Sequence, residues 1–201
     1  MDRPDYLNEI RNRIKAEKYG SVFVATDFAD ITENVKIGVC LSRLEEEKTL
    51  LRIMRGVYYK PEYSSLLGEY IAPAPDAVAH AIARNFGWTI VPCGDTALNL
   101  LGLSTQVPAA WVYVSDGPYK EYAYGDVVIK FKRTANKDIS HLSFKTALTI
   151  QALKALGKEH ITDSVTERLK RILSEKEQIK MLIEAKATTA WVYKIIKTIC
   201  S

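Results

Sequence analysis

The sequence predicts an α+β protein of two domains. Three observations predict this class. Apolar residues recur at helical spacing near the N-terminus, a short apolar hairpin pattern follows them, and strand-like and helix-like runs alternate in the rest of the chain. The 201 residues suffice for two small cores. We place the boundary where the hairpin ends and the composition changes, which gives domains 1–62 and 63–201.

The N-terminal domain begins with a predicted helix over residues 4–18, because its apolar residues share one face. A β-rich run covers residues 21–25, and Thr26 is expected to cap a brief helix after it. The stretch ENVKIGVCLSRLEEEK, residues 33–48, predicts a longer helix of about four turns.

The inner face of that longer helix is predicted from its apolar spacing. Ile37, Leu41 and Leu44 form the stripe that should face the core. Cys40 is expected on the opposite, outward side. Gly38 costs helix stability, so we expect a close packing contact there.

The stretch LLRIMRGVYYKP, residues 50–61, predicts a hairpin with Arg55 and Gly56 at its tip. Alternation predicts that one face of the hairpin closes the core, and this face consists of Leu51, Ile53, Val57 and Tyr59. Arg52 and Arg55 are expected on the other face or at the tip. The order of helix, strand, short helix, longer helix and hairpin is that of a winged helix-turn-helix. In such a domain the longer helix enters the DNA major groove.

The C-terminal domain is predicted to mix strands and helices after a loop or linker that Pro73 and Pro75 interrupt. A Ser174–Glu177 capping-box pattern predicts that the helical stretch 162–186 is two helices. The other predicted helices cover 77–87, 95–104, 143–157 and 190–199, and the predicted strands cover 89–92, 109–117 and 126–134.

Several functional classes find no support in the residues. The three cysteines and three histidines are scattered, so we expect neither a metal site nor a cofactor. There is no Gly-rich phosphate loop and no nucleophile elbow, so we expect a protein that is not an enzyme. No apolar run approaches the roughly 18–20 residues of a membrane span, and the acidic N-terminus does not resemble a signal peptide. We therefore expect a cytoplasmic protein.

The basic residues are concentrated towards the C-terminus. Residues 131–201 contain 14 basic and 7 acidic residues, residues 61–130 contain 3 and 7, and residues 1–60 contain 11 and 10. A basic surplus can indicate a polyanionic partner, but from charge alone solvated helix faces are the preferred interpretation.

Four stretches resemble the AbiE-family antitoxins of type IV toxin–antitoxin systems. They are SVFVATDFADI with VCLSRLEEEKTLLRIMRGVYYKP, then PCGDTALNLLGLSTQVPAAWVYVSDG, IKFKRTANKDI and ALTIQALKALGKEHIT. The resemblance implies a winged helix-turn-helix over 1–62 that binds operator DNA, and a C-terminal α/β domain of the AbiEi-like antitoxin type over 63–201. It implies a bacterial transcriptional regulator that represses its own operon. It also implies that the protein counteracts a nucleotidyltransferase-like toxin without holding it in a stable complex.

The predicted DNA contacts follow from positions in the winged domain. Arginine can bind a guanine edge bidentately, and basic or hydroxyl side chains bind phosphates. For each residue the alternative is a solvated surface side chain or a local cap. The candidates are Thr26, Asn34, Lys36, Ser42, Arg43, Arg52 and Arg55.

A second basic segment lies in the C-terminal domain. Lys130, Lys132 and Arg133 follow one another on a predicted strand. They could contact nucleic acid, but protection of an exposed sheet edge is the preferred interpretation.

The sequence thus predicts a DNA-binding antitoxin whose partners are operator DNA, a toxin and a second copy of the chain on the DNA. The alternative is an RNA- or protein-binding regulator that uses the winged domain as a scaffold. A nucleotide-acting enzyme ranks last because no catalytic set is evident.

Overall fold

The computed structural model describes residues 5–134, 139 and 141–201. The predicted start of the first helix at residue 4 and part of the IKFKRTANKDI stretch lie outside these residues. The chain has the α+β fold that the sequence predicts. It divides into two compact units, Met1–Trp88 and Thr89–Ser201.

The elements of the first unit follow the predicted order closely. They are α1 (Tyr6–Ala16), β1 (Val22–Phe23), a 3-10 turn (Ala25–Phe28), α2 (Asn34–Glu46), β2 (Leu51–Met54), β3 (Val57–Tyr59), β4 (Glu62–Ser64), β5 (Glu69–Ile71) and α3 (Pro75–Phe86).

The first three strands form an antiparallel sheet in the order β1-β3-β2. Arg55 and Gly56 make the turn between β2 and β3, and Gly56 has a φ of 77°, which a residue with a side chain rarely adopts. A shift of register between Arg52 and Met54 adds a bulge next to the turn. Two helices, a 3-10 turn and this sheet thus follow one another in the order that the sequence predicts.

The helical core of this unit confirms the predicted stripe of α2 and corrects two details. Cys40 is buried with Ile37, Leu41 and Leu44, so it does not face outward. It continues the i, i+3, i+4 and i+7 spacing of the stripe, and a thiol packs as a small apolar group. Gly38 is exposed, and a Cβ built there meets nothing within 4 Å, so the expected packing contact is absent.

Strand β3 is buried on both faces, whereas the sequence predicted burial only for the face of Val57 and Tyr59. Tyr58 packs in the helical core with Phe23, and Val57 and Tyr59 point to the opposite face but are equally buried. Helix α3 contacts β1 and β3. This packing also places the boundary between the units after α3, later than the predicted boundary at residue 62.

A second hairpin stands where the sequence predicted a loop or linker. Strands β4 and β5 pair antiparallel, with Tyr63 opposite Tyr70 and their rings 5.3 Å apart between centroids. At the tip, Leu66 is 92% and Leu67 65% exposed.

The second unit combines a sheet with a helical bundle. Its elements are β6 (Ile90–Pro92), α4 (Asp95–Leu100), β7 (Trp111–Ser115), β8 (Lys120–Tyr124), β9 (Val127–Arg133), α5 (Phe144–Leu156), α6 (Asp163–Ile172), α7 (Glu175–Glu184) and α8 (Ala190–Ile199). The sheet order is β6-β7-β9-β8, with β7 and β9 parallel. Strand β9 is therefore interior at Lys130, where the prediction of edge protection is wrong, whereas Lys132 and Arg133 pair with β7 alone.

The bundle of α4 to α8 encloses a core that includes Leu153, Leu169, Met181 and Ile196. The capping box of Ser174 and Glu177 begins α7, which confirms the predicted division into two helices. Within the described residues, no helix combines the length and apolarity that crossing a membrane requires.

Candidate nucleic-acid interface

An open cleft of about 570 Å³ separates the outward face of α2 from the β2–β3 hairpin. Its α2 side carries one stripe of residues, which lies opposite the buried stripe of the same helix. The cleft is lined by Val35, Gly38, Val39, Ser42, Arg43 and Glu46 from α2 and by Arg52, Arg55, Gly56 and Tyr58 from the hairpin.

Four of the predicted contacts meet in this cleft. Ser42 and Arg43 belong to the last turns of α2, while Arg52 and Arg55 belong to the hairpin. The turn at Gly56 places the hairpin beside α2, an arrangement that the sequence alone does not specify. Three guanidinium groups therefore border one open surface.

The guanidinium groups of the cleft are available to a ligand. Within residues 5–134, 139 and 141–201, the side chains of Arg43 and Arg55 make no hydrogen bond or ion pair. Arg52 lies over the ring of Tyr58, 5.8 Å from Cζ to the ring centroid, and its Nε donates a long 3.4 Å bond to the carbonyl of Met54. The hairpin thus orients Arg52 but leaves its charge unpaired.

The arginines of α1 are used differently. Arg11 donates to both carboxylate oxygens of Glu47 at 2.9 Å, and Arg13 holds Asp30 at 2.7 and 2.8 Å. The hydrogen bond from Arg13 lowers the pKa of Asp30 below its ordinary value. These bidentate pairs tie α1 to the segments around α2, so they stabilise the fold and leave no free cation on α1 at these positions.

Two acidic residues at the end of α2 differ in whether their charge is paired and whether they line the cleft. Glu47 is compensated by Arg11. Glu46 lines the cleft and puts a negative charge beside Arg43 and Ser42. Such a charge opposes phosphate at that end of the cleft and restricts where a DNA backbone could lie.

Lys36 and Asn34 do not line the cleft. Lys36 forms an ion pair with Glu33 at 3.0 Å, and its Nζ lies 5.7 Å from the ring centroid of Tyr6 on α1. The hydrogen bond to Glu33 raises the pKa of Lys36. Asn34 is the exposed first residue of α2. Lys36 instead lines a second cleft, towards α1, which it shares with Arg43.

Thr26 lies inside the 3-10 turn and does not cap it. The carboxylate of Asp27 accepts the N–H of Val24 at 3.0 Å and also pairs with Arg84 at 3.0 Å. An acidic group already occupies the start of the turn, so the arrangement that would offer backbone N–H groups to a phosphate is not formed there.

Two apolar residues of the cleft are exposed; the sequence predicts Val39 on this face, but it predicts Val35 at the edge of the buried stripe. Val35 is 78% and Val39 55% exposed, although both belong to the helix that supplies the core. Their spacing of four residues, opposite Ile37 and Leu41, was the signal that could have placed Val35 on the same face.

The basic segment of the second unit is partly neutralised. Lys130 pairs with Glu121 across β8 and β9 at 3.1 Å, and this hydrogen bond raises the pKa of Lys130. Lys132 and Arg133 are exposed and extend past the last β8–β9 pair, which joins Lys120 to Phe131. Of the three basic residues of β9, Lys132 and Arg133 therefore stay candidates for contact with a polyanion.

No group of three or more His, Cys, Asp and Glu that could hold a metal ion exists among the described residues. Cys40 and Cys93 are buried, and burial raises the pKa of both thiols, so neither is a ready nucleophile.

A family model described as "Family of unknown function (DUF6088)" matches residues 9–182. No curated protein matches the chain.

Proposed function

Because the chain belongs to the DUF6088 family, a family of unknown function, we propose its function from the cleft: the N-terminal unit binds duplex DNA. One observation carries the proposal. Arg43, Arg52 and Arg55 border a single open cleft with no carboxylate paired to them, whereas Arg11 and Arg13 on α1 are fully engaged in ion pairs.

In this proposal α2 enters the major groove and the β2–β3 hairpin lies against the adjacent backbone. Arg43 binds a guanine edge through its planar guanidinium, and Ser42 donates a hydrogen bond to a phosphate. Arg52 and Arg55 bind phosphates or enter the neighbouring minor groove. Phosphate contacts fix the position of the protein, and Arg43 supplies base recognition.

The small number of cations in the cleft supports binding as a homodimer. Each phosphate contact adds a limited, salt-dependent increment of affinity, so a single cleft binds weakly and two copies on neighbouring half-sites bind much more tightly. A second copy of the chain on the DNA is therefore part of the proposal.

The biological role that we propose rests on the resemblance to the AbiE-family antitoxins. The protein would act in the cytoplasm, repress its own operon through the cleft, and counteract a nucleotidyltransferase-like toxin without a stable complex. The resemblance assigns the antitoxin activity to the C-terminal part of the chain.

The double substitution Arg43→Ala/Arg55→Ala tests the DNA-binding proposal. We expect it to weaken binding to duplex DNA carrying the region upstream of the protein's own gene by at least about tenfold, because it removes two charged contacts worth roughly 1–3 kcal/mol each. The measurement is a gel-shift titration, with circular dichroism to show that the fold is intact.

The matched control is Lys15→Ala/Lys18→Ala, which removes the same charge from exposed positions of the same unit outside the cleft. Its binding should remain close to that of the wild type. Wild-type affinity in the arginine variant, or an equal loss in both variants, would show that the cleft does not bind DNA.

A protein-binding regulator is the second candidate, and the β4–β5 hairpin favours it. Leu66 and Leu67 expose their side chains at the tip of a two-stranded hairpin, an element that is marginally stable by itself in water. For such a regulator, the arginine variant and its lysine control would bind DNA equally weakly.

A further inference from the structure

Val35 and Val39 form an apolar ridge along α2. Clefts lie on both sides of it, because these two residues and Arg43 line the cleft towards the hairpin and a second cleft towards α1. A ridge between two clefts is convex, which is the shape that fits into a groove of a partner.

The fold itself does not explain the valine ridge. The core of this unit uses Ile37, Cys40 and Leu41 from α2, and the two valines remain 78% and 55% exposed. β-Branched residues are also weaker helix formers than alanine or leucine. Two exposed valines at i and i+4 therefore cost stability without a visible gain inside the protein.

Gly38 adds to this observation. It is the residue before Val39, it lines the same cleft, and a Cβ there would meet only open space. The backbone of α2 is thus bare between the two valines, so a partner can approach it closely.

We propose, resting on the proposed DNA binding, that the valine ridge reads thymine methyl groups in the major groove. The C5-methyl of thymine is the apolar feature that distinguishes base pairs there, and apolar side chains recognise it by contact. The flanking Arg43 and Arg55 supply the positive charge that a DNA groove attracts.

The helix geometry predicts the spacing of the bases. Residues four apart on α2 are separated by about 6 Å along its axis. Successive bases of one strand rise by about 3.4 Å, so a helix lying along the groove places Val35 and Val39 about two base pairs apart. Arg43 lies one further turn along α2. The expected site therefore has two thymines about two base pairs apart and then a guanine at the same spacing.

Removal of the thymine methyl groups tests this inference. Duplexes are first enriched from a random-sequence pool on the wild-type full-length chain, and the best duplex is then compared with a version in which uracil replaces thymine. We expect the wild type to bind the uracil duplex at least about fourfold more weakly, the effect of burying one methyl group.

The variant Val35→Ser/Val39→Ser removes the methyl groups of both valines, and serine has a helix propensity close to that of valine. It should bind the thymine and uracil duplexes equally. The control Val107→Ser changes a valine that is 79% exposed in the other unit, and it should keep the wild-type preference for thymine.

The outcomes separate the two proposals. If the wild type enriches a duplex but binds its uracil version equally, the thymine inference fails and the DNA-binding proposal stands. Full thymine preference in the Val35→Ser/Val39→Ser variant also overturns the inference. If no duplex is enriched or bound, both proposals fail.

Discussion

Different residues of α2 stabilise the fold and line the proposed DNA contact. Ile37, Leu41 and Leu44 are fully or almost fully buried. Gly38, by contrast, does not stabilise the fold: glycine weakens a helix by about 1 kcal/mol relative to alanine, and a Cβ at this position would contact no atom of the protein. A residue that costs stability at an exposed site is expected where function requires it.

The substitution Gly38→Ala should therefore change stability and binding in opposite directions. We expect the free energy of unfolding to rise by about 0.5–1 kcal/mol, because alanine is the better helix former and its Cβ meets no atom within 4 Å. Affinity for duplex DNA should fall, because the same methyl group occupies the cleft. Chemical denaturation and a DNA titration measure the two effects.

Asn12→Ala on the exposed surface of α1 is the control for Gly38→Ala, since it improves helix propensity away from the cleft. It should stabilise the protein without altering DNA affinity. A Gly38→Ala protein that is more stable and binds DNA like the wild type would argue against close approach at this position.

At the scale of residues, the sequence predicted part of the site. Ser42, Arg43, Arg52 and Arg55 could be assigned because a hairpin that follows a helix returns beside it. Cys40 was placed wrongly although its spacing belongs to the buried stripe. The ion pair of Lys36 with Glu33 depends on rotamers, which a linear pattern does not reveal.

Among the elements, α5 and α7 are joined by a partly buried acid. Glu184 of α7 accepts hydrogen bonds from the backbone N–H and the hydroxyl of Ser143, at 2.9 and 2.7 Å, just before α5 begins. Burial raises the pKa of Glu184, but hydrogen bonds from Thr146 and Ser143 lower it more, so the net pKa is below its ordinary value of 4.5.

The lowered pKa of Glu184 predicts a pH-dependent contribution to stability. A group whose pKa is lower in the folded state stabilises the fold above the unfolded-state pKa, and this contribution is lost as the pH falls through the folded-state pKa. Glu184→Gln should therefore lower the free energy of unfolding by about 1–2 kcal/mol at pH 7. The difference from the wild type should shrink below about pH 4.5.

Thermal unfolding of both proteins across pH 3–7 measures this difference, with the exposed Glu69→Gln of β5 as control. The control should match the wild type at every pH. A Glu184→Gln destabilisation that is the same at pH 3 and pH 7 would mean that the charge of Glu184 does not act as described.

Elements were predictable where local periodicity determines them. Helices α1, α2, α5 and α7 follow from apolar spacing and caps, whereas the β4–β5 hairpin has almost no buried face to create a pattern. The interior position of β9 depends on pairing with β7, which is distant in sequence, and no strand pattern reports that order.

In the whole molecule, function is proposed for two separate units. The first unit carries the cleft with a nearly neutral set of charges over residues 1–60, while the basic surplus lies in the second. The boundary after α3 could not be read from composition, because α3 is joined to the first sheet by packing that only the fold reveals.

The most direct test of the central proposal is to map backbone amide chemical shifts of the full-length chain on adding the enriched duplex. If the cleft binds DNA, the largest chemical-shift changes should lie along Val35–Glu46 and Arg52–Tyr58. Changes confined to Thr89–Ser201, with α2 and the β2–β3 hairpin unaffected, would contradict it.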